Sequence, residues 1–236
     1  MFKFKQFIVH QSRCAMKVGT DGVLLGAWAP LYNKPNRILD IGAGTGLIAL
    51  MLAQRSNADQ IDAVEIDEEA FIQSVENFEN SPWADRLYCY NASLEEFTEE
   101  FFEEITYDLI VSNPPFYSED YISDDEQRSK ARSTLSLSFE ELISCVEGLL
   151  NEHGIFSVII PYKEEQVFIE LAAEYGLFPF KICRIQGTPT TAIKRSMLAL
   201  TRIPAEISID NLIIETQRHQ YTEEYTALTK DFYLKM

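Results

Sequence analysis

Cysteine, histidine and cationic side chains are all scarce in this chain. The four cysteines, Cys14, Cys89, Cys145 and Cys183, stand tens of residues apart. They form no Cys-x-x-Cys unit, which argues against a zinc ribbon or a redox pair, and they read as reduced and mostly buried. His10, His153 and His219 are equally scattered. Neither a His-paired metal helix nor a Ser/His/Asp triad is readable, and no metal is expected. The longest apolar runs, residues 22–32 and 156–160, fall short of the roughly 18 residues that span a bilayer, so no membrane helix is expected. The opening residues 1–13 lack the apolar core and cleavage site of a secretory signal, and a cytoplasmic location is the expectation. What is present is ordinary for a folded chain: 236 residues, 46% hydrophobic and 24% charged. That length and balance suit one large core and exclude disorder as the main state.

The formal net charge of -17 taken alone counts against a nucleic-acid partner, because phosphates demand Lys and Arg. Its distribution alters that reading. Residues 59–126 carry 21 of the 37 carboxylates and, as cation, Arg86 alone. Residues 1–37 hold Lys3, Lys5, Arg13, Lys17, Lys34 and Arg37 against the single acid Asp21. Two further segments without acids carry Arg128, Lys130 and Arg132, and Lys181, Arg184, Lys194, Arg195 and Arg202. Three basic segments converging in space would make one cationic face for an anionic polymer; ordinary surface scatter is the alternative.

From residue 37 onward, short apolar runs alternate with amphipathic ones, the signature of a parallel sheet covered by helices on both faces. Strands are expected at 37–41, 61–65, 87–90, 107–112 and 155–160, and helices at 47–55, 68–80 and 94–105. Asp67 caps the second helix, and Leu94, Phe97, Phe101, Phe102 and Ile105 share one side of the third. After residue 180 the pattern predicts antiparallel strands at 180–185, 197–202 and 207–215 finishing the sheet. Residues 1–36 read as a lead-in segment packing on the site, with extended 2–9 and a helix starting near Thr20. Residues 37–236 read as a single globular unit. The one long irregular stretch, 117–138, follows directly on a motif, a place where long loops are usually functional.

The strongest single element is Leu39-Asp-Ile-Gly-Ala-Gly-Thr-Gly46, at the end of a strand and opening a helix. Gly42, Gly44 and Gly46 lack Cβ atoms, so the backbone can turn tightly and approach a ligand. The Gly-x-Gly-x-Gly spacing differs from the Gly-x-Gly-x-x-Gly of dinucleotide folds. Glu65 closes the next strand, where a carboxylate can accept both hydroxyls of an adenosine ribose. Asp40 is placed to meet a cationic group of the ligand. Together these features point to S-adenosylmethionine, and this stretch resembles the class I methyltransferases.

At the end of the fourth core strand stands Ser112-Asn113-Pro114-Pro115-Phe116. Asn113 offers a side-chain carbonyl and Pro114 a backbone carbonyl, two acceptors for the hydrogens of a planar amino group. The two prolines keep those acceptors aimed, and Phe116 can stack on a flat ring. Methyl transfer then follows largely from positioning, without a strong base. The motif resembles that of methyltransferases acting on nitrogen conjugated to a planar system: adenine N6, guanine N2 or a glutamine side-chain amide.

Three further stretches narrow the family. Phe4-Lys-Gln-Phe7 with Arg13-Cys-Ala-Met-Lys-Val-Gly-Thr-Asp-Gly-Val-Leu-Leu-Gly-Ala-Trp28 resembles the N-terminal signature of bacterial tRNA(Val) adenine-N6-methyltransferases. Tyr221-Thr-Glu-Glu-Tyr225, Asp231-Phe-Tyr233 and Lys194-Arg195 are similar to the same family, so the resemblance covers essentially the whole chain. It implies an α/β, Rossmann-like fold with a mostly parallel sheet of about seven strands and helices on both faces. It also implies S-adenosylmethionine-dependent N6-methylation of the adenosine 3′ of the anticodon in a valine tRNA. Carried over by motif, Asp40, Gly42, Gly44, Gly46, Glu65, Asn91, Lys17 and Thr20 hold the cofactor. Asn113, Pro114, Pro115 and Phe116 hold the adenine, while Arg128, Lys130, Arg132, Lys194 and Arg195 grip RNA. For Asn91 a strand-end turn, and for Thr20 a helix cap, are equal alternatives. A monomer without an obligate protein partner is expected. The competing readings are a release-factor-type protein glutamine N5-methyltransferase and another adenine or guanine amino methyltransferase of nucleic acid.

Overall fold

A computed structural model describes residues 1–101, 105–115 and 137–235. Two short strands, β1 (Phe2–Lys3) and β2 (Ile8–Val9), pair antiparallel ahead of helix α1 (Thr20–Trp28). The chain then alternates through β3 (Arg37–Ile41), α2 (Leu47–Arg55), β4 (Gln60–Glu65), α3 (Glu68–Glu79), β5 (Leu87–Asn91), α4 (Leu94–Phe101) and β6 (Tyr107–Ser112). It continues with α5 (Phe139–Leu149), β7 (Leu150–Pro161), α6 (Glu165–Glu174), β8 (Phe178–Gln186), β9 (Ile193–Thr201) and β10 (Ser208–Ile213). A small hairpin of β11 (Glu215–Gln217) and β12 (Gln220–Tyr221) leads into α7 (Glu223–Thr229).

The central sheet has the strand order β10-β8-β9-β7-β6-β3-β4-β5. All pairings are parallel except those of β9 with β7 and with β8. The inner strands are apolar almost throughout because both faces are covered. Successive residues alternate between two cores: Ile38, Leu109 and Val111 pack with α1 and α2 on one face. Leu39, Ile41 and Ile110 pack with α4, α5 and α6 on the other. The chain winds outward from β3 to β5 and then returns to β6 beside β3. Its order therefore reverses between β3 and β6, where the carboxyl ends of open α/β sheets leave a crevice.

The mostly parallel, doubly covered sheet is the expected architecture, with eight strands instead of about seven. β10 is the strand expected over residues 207–215, but its direction corrects the antiparallel expectation. It runs parallel to β8, with Ser208 opposite Lys181. Both edges of β9 are already taken by β7 and β8. A strand turning back after β9 finds the nearby open edge on the far side of β8, and being antiparallel to β9 it is parallel to β8.

Local signals account for the helix boundaries. The Asp67 side chain accepts from the Ala70 N–H at 2.8 Å and caps α3 as anticipated. Thr20 caps nothing: the N-cap of α1 is Gly19, without a side-chain hydrogen bond, so the capping alternative for Thr20 does not apply. Leu94 and Phe97 of α4 are buried, with Phe101 and Ile105 packed against the same core. Phe102 lies outside the described residues, as does most of the irregular stretch 117–138. Helix α5, not anticipated from the sequence, opens with a reciprocal capping box between Ser138 and Glu141. Among the described residues no helix is long and apolar enough to cross a membrane.

Candidate active site

At the end of β3 the chain bends back on itself. The N–H groups of Gly42 and Ala43 both donate to the Val64 carbonyl, at 2.9 and 3.2 Å, and the Gly46 N–H donates to the Ala43 carbonyl at 2.8 Å. Gly42, Gly44 and Gly46 all adopt positive φ, at 72°, 57° and 74°, which only glycine does without strain. A Cβ at Gly42 or Gly44 would meet nothing within 4 Å, so this backbone borders open space. Gly46 differs. A Cβ there would stand 2.4 Å from Cε1 of Phe78 on α3, and Gly46 is not among the residues lining the cleft. At the third glycine both the left-handed φ and the close aromatic ring of Phe78 exclude a side chain.

Asp40 is also set apart. Its side chain is fully buried beneath the loop, where Oδ2 accepts from the Ala49 N–H in the first turn of α2 at 3.0 Å. Oδ1 has no partner among the described residues. Burial first, and the neighbouring Glu65 charge after it, push its carboxyl up to about 7. It is not among the residues that line the cleft.

Glu65, at the end of β4, does face the cleft. Oε2 accepts from the Gly44 N–H at 2.7 Å and Oε1 from the Asp67 N–H at 2.9 Å. Burial raises its carboxyl above the ordinary range, opposed by these backbone hydrogen bonds. Asn91 ties two strand ends together. Its amide donates to the Glu65 carbonyl at 2.9 Å, tying β5 to β4, while Ala92 and Ser93 beside it line the cleft. Lys17 and Thr20 line the cleft from the other direction, Lys17 donating to the carbonyls of Gln11 and Cys14 at 2.6 Å each.

The tetrapeptide emerges from β6 on the same cleft. Ser112 donates to the Ile41 carbonyl at 3.0 Å, which locks the end of β6 to the end of β3 beside the glycine loop. Asn113 is half-buried, Pro114 buried and Pro115 exposed, and all three line the cleft. Phe116 lies outside the described residues, as do Arg128, Lys130 and Arg132. Lys194 and Arg195 are at the rim, Arg195 paired through Nε with Asp21 Oδ2 at 2.8 Å. That ion pair joins β9 to the start of α1 across a sequence separation of 174 residues.

The cleft has a volume of about 1080 Å³, large enough for a nucleoside-sized ligand with a second group beside it. Charges of both signs line it: Lys17, Lys163, Lys194 and Arg195 with Asp21, Glu65, Glu95 and Glu141. Sequence reasoning missed the residues that fasten the lead-in segment to the loop. Ser74 donates to the Gly44 carbonyl at 2.9 Å, and Asn77 donates to the carbonyls of His10 and Thr45, each at 2.8 Å. Gln73, Ser74 and Asn77 are buried polar residues on the inward face of α3. A cluster of polar side chains on the core side of an amphipathic helix was the available signal, because buried polar groups need partners.

Comparison with known proteins places this geometry. Residues 21–135 match the family model "Methyltransferase small domain". A tRNA1(Val) (adenine(37)-N6)-methyltransferase of Flavobacterium psychrophilum is 62% identical over 236 residues, covering the whole of both chains. The protein of the same name from Christiangramia forsetii is 57% identical over 235 residues, covering 100% of this chain and 98% of its own. Among solved structures, a predicted O-methyltransferase of Agrobacterium tumefaciens superimposes with a TM-score of 0.69 at 20% identity. It covers 90% of this chain and 96% of that one, a likeness of fold. Full-length identity of this order, on a chain whose strand ends carry the glycine loop, the acid and the Asn-Pro-Pro turn together, assigns it: the chain belongs to the tRNA1(Val) (adenine(37)-N6)-methyltransferase family.

Proposed function

We propose that this protein transfers a methyl group from S-adenosylmethionine to N6 of adenosine 37 in tRNA1(Val). The observation that carries the reading is the meeting of the glycine loop, Glu65 and Asn113-Pro114-Pro115 on one cleft, at the ends of β3, β4 and β6. The residues present fit the cofactor: open space over Gly42 and Gly44, and a carboxylate at Glu65 beside it, suit a ribose with vicinal hydroxyls. When bound, S-adenosylmethionine supplies a methyl group carried on a sulfonium, ready to leave to a nitrogen lone pair.

The protein's own part is alignment. Gly42, Gly44 and Glu65 hold the adenosine half of the cofactor, with Lys17 and Thr20 at its other end. The Asn113 side-chain carbonyl and the Pro114 backbone carbonyl accept the two N6 hydrogens of the target adenine, which turns the nitrogen lone pair out of conjugation. The family motif gives Phe116 the role of stacking on the ring. The proton displaced from N6 after transfer goes to solvent, so no buried base is needed. Lys194 and Arg195, at the rim, meet the RNA backbone, and the family resemblance gives Arg128, Lys130 and Arg132 the same role. The protein acts as a cytoplasmic monomer, residues 1–36 serving as the lead-in that closes one side of the cofactor site.

Incubation of the purified protein with labelled S-adenosylmethionine and unmodified total tRNA, followed by digestion and mass spectrometry, tests the reading. N6-methyladenosine at position 37 of one valine tRNA is the expected product. Label on a protein glutamine, or on guanine, would overturn it.

A further inference from the structure

Tyr162 is a cleft residue outside the methyl-transfer machinery. Tyr162 follows directly on Pro161 at the end of β7, in the short turn Tyr162–Glu164. It lines the cleft together with Asn113, Pro114 and Pro115, and it is 38% exposed. β7 is the immediate neighbour of β6, with Val158 opposite Ser112, so the turn that carries Tyr162 rises beside the Asn-Pro-Pro turn.

This ring is held from behind. The Arg184 guanidinium carbon lies over it, 5.5 Å from the centroid. Arg184 is in turn fixed by Glu165, with Nη2 to Oε1 at 2.7 Å and Nε to both oxygens at 3.2 Å. Glu165 is buried and also accepts from the Ser196 hydroxyl. Ser196 stands opposite Arg184 in the β8–β9 register, so three elements converge on one carboxylate. A buried carboxylate is tolerated only when it is fully partnered. The same partners fix Arg184, and through it the ring. Lys163 and Lys194 line the cleft alongside. An exposed aromatic ring among cations is the combination that binds single-stranded nucleic acid, bases stacking on the ring and phosphates meeting the charges.

We infer that Tyr162 is a stacking platform for a nucleobase of the RNA substrate next to the reacting adenosine, positioned by the Arg184–Glu165–Ser196 network. The inference rests on the tRNA reading proposed above and adds a residue that recognises the substrate without touching the transferred methyl group.

Steady-state kinetics with a tRNA1(Val) transcript test it. Base stacking on an aromatic side chain contributes about 1–3 kcal/mol, which converts to roughly 5- to 150-fold in affinity. Tyr162→Ala is therefore expected to raise the KM for tRNA about tenfold or more, with a smaller fall in kcat and an unchanged Kd for S-adenosylmethionine. Tyr162→Phe keeps the ring and restores KM, whereas Tyr162→Leu, which fills the space without a π face, does not. Arg184→Met, which removes the backing charge, raises the same KM. A wild-type KM in Tyr162→Ala, or restoration by Leu as complete as by Phe, would overturn the platform while leaving the tRNA reading intact. A wild-type enzyme that binds the cofactor and methylates no tRNA would remove both.

Discussion

The Glu65 carboxylate accepts a hydrogen bond from the Gly44 N–H at 2.7 Å, so the acid at the end of β4 and the middle glycine of the loop after β3 are one unit. Hydrogen bonds to a charged acceptor contribute about 1.5–3 kcal/mol, and a tenfold change in affinity corresponds to about 1.4 kcal/mol. Glu65→Gln keeps one carbonyl acceptor and loses the charge. Its Kd for S-adenosylmethionine is expected to rise about tenfold or more by isothermal titration calorimetry; a value within twofold of wild type would remove Glu65 from the residues that hold the ribose.

Asn113 separates binding from chemistry. Removing one preorganised hydrogen-bond partner from a reacting group typically costs about 10²–10³ in kcat. Asn113→Ala is expected to lose at least that in single-turnover methylation of tRNA, with cofactor affinity within about threefold of wild type. A kcat near that of the wild type would show that the amino group is not held by this side chain.

Gly46 carries a structural prediction. Alanine there would adopt a left-handed φ, costing about 1–2 kcal/mol, and would press on Phe78, overpacking that costs about 1–3 kcal/mol. Gly46→Ala is therefore expected to lower the urea-unfolding free energy by about 2–5 kcal/mol. Adding Phe78→Leu to this variant should recover the packing part and leave the backbone part. Absence of any recovery would mean that the 2.4 Å approach an added Cβ at Gly46 would make to Phe78 is relieved by movement of the ring.

Asp40 predicts a pH dependence. Its carboxyl is pushed from 3.8 up to about 7 by burial, so the native state holds this proton more tightly than the unfolded chain does. The stability it contributes is full below about pH 4 and is lost as the pH rises through about 7. Burial raises Asp62 and Glu65 in the same direction. Asp40→Asn cannot ionise, and its Tm should fall less than that of the wild type between about pH 5 and about pH 8 in scanning calorimetry. Parallel Tm profiles for the two proteins would show that Asp40 titrates as an ordinary carboxylate.

Much of this was legible along the chain because the signals are local. The glycine loop, the acid closing β4, the Asp67 cap and the Asn-Pro-Pro turn are each specified within a few consecutive residues, by backbone stereochemistry and by the two-residue and 3.6-residue hydrophobic periods. The same local patterns determined the order of strands and helices and the parallel character of the sheet. What only the tertiary structure decided involves partners far apart in sequence. Nothing near Asp40 or Gly46 announces that one is sealed beneath the loop and the other pressed against Phe78, since both facts depend on where α2 and α3 dock. Nothing near Arg195 announces its pairing with Asp21, and nothing near Tyr162 announces that Arg184 lies over its ring. β10 joins the sheet at an edge that exists only once β7, β8 and β9 have paired. Local stereochemistry fixes which element forms, whereas burial and pairing depend on which surfaces remain open once the core has closed.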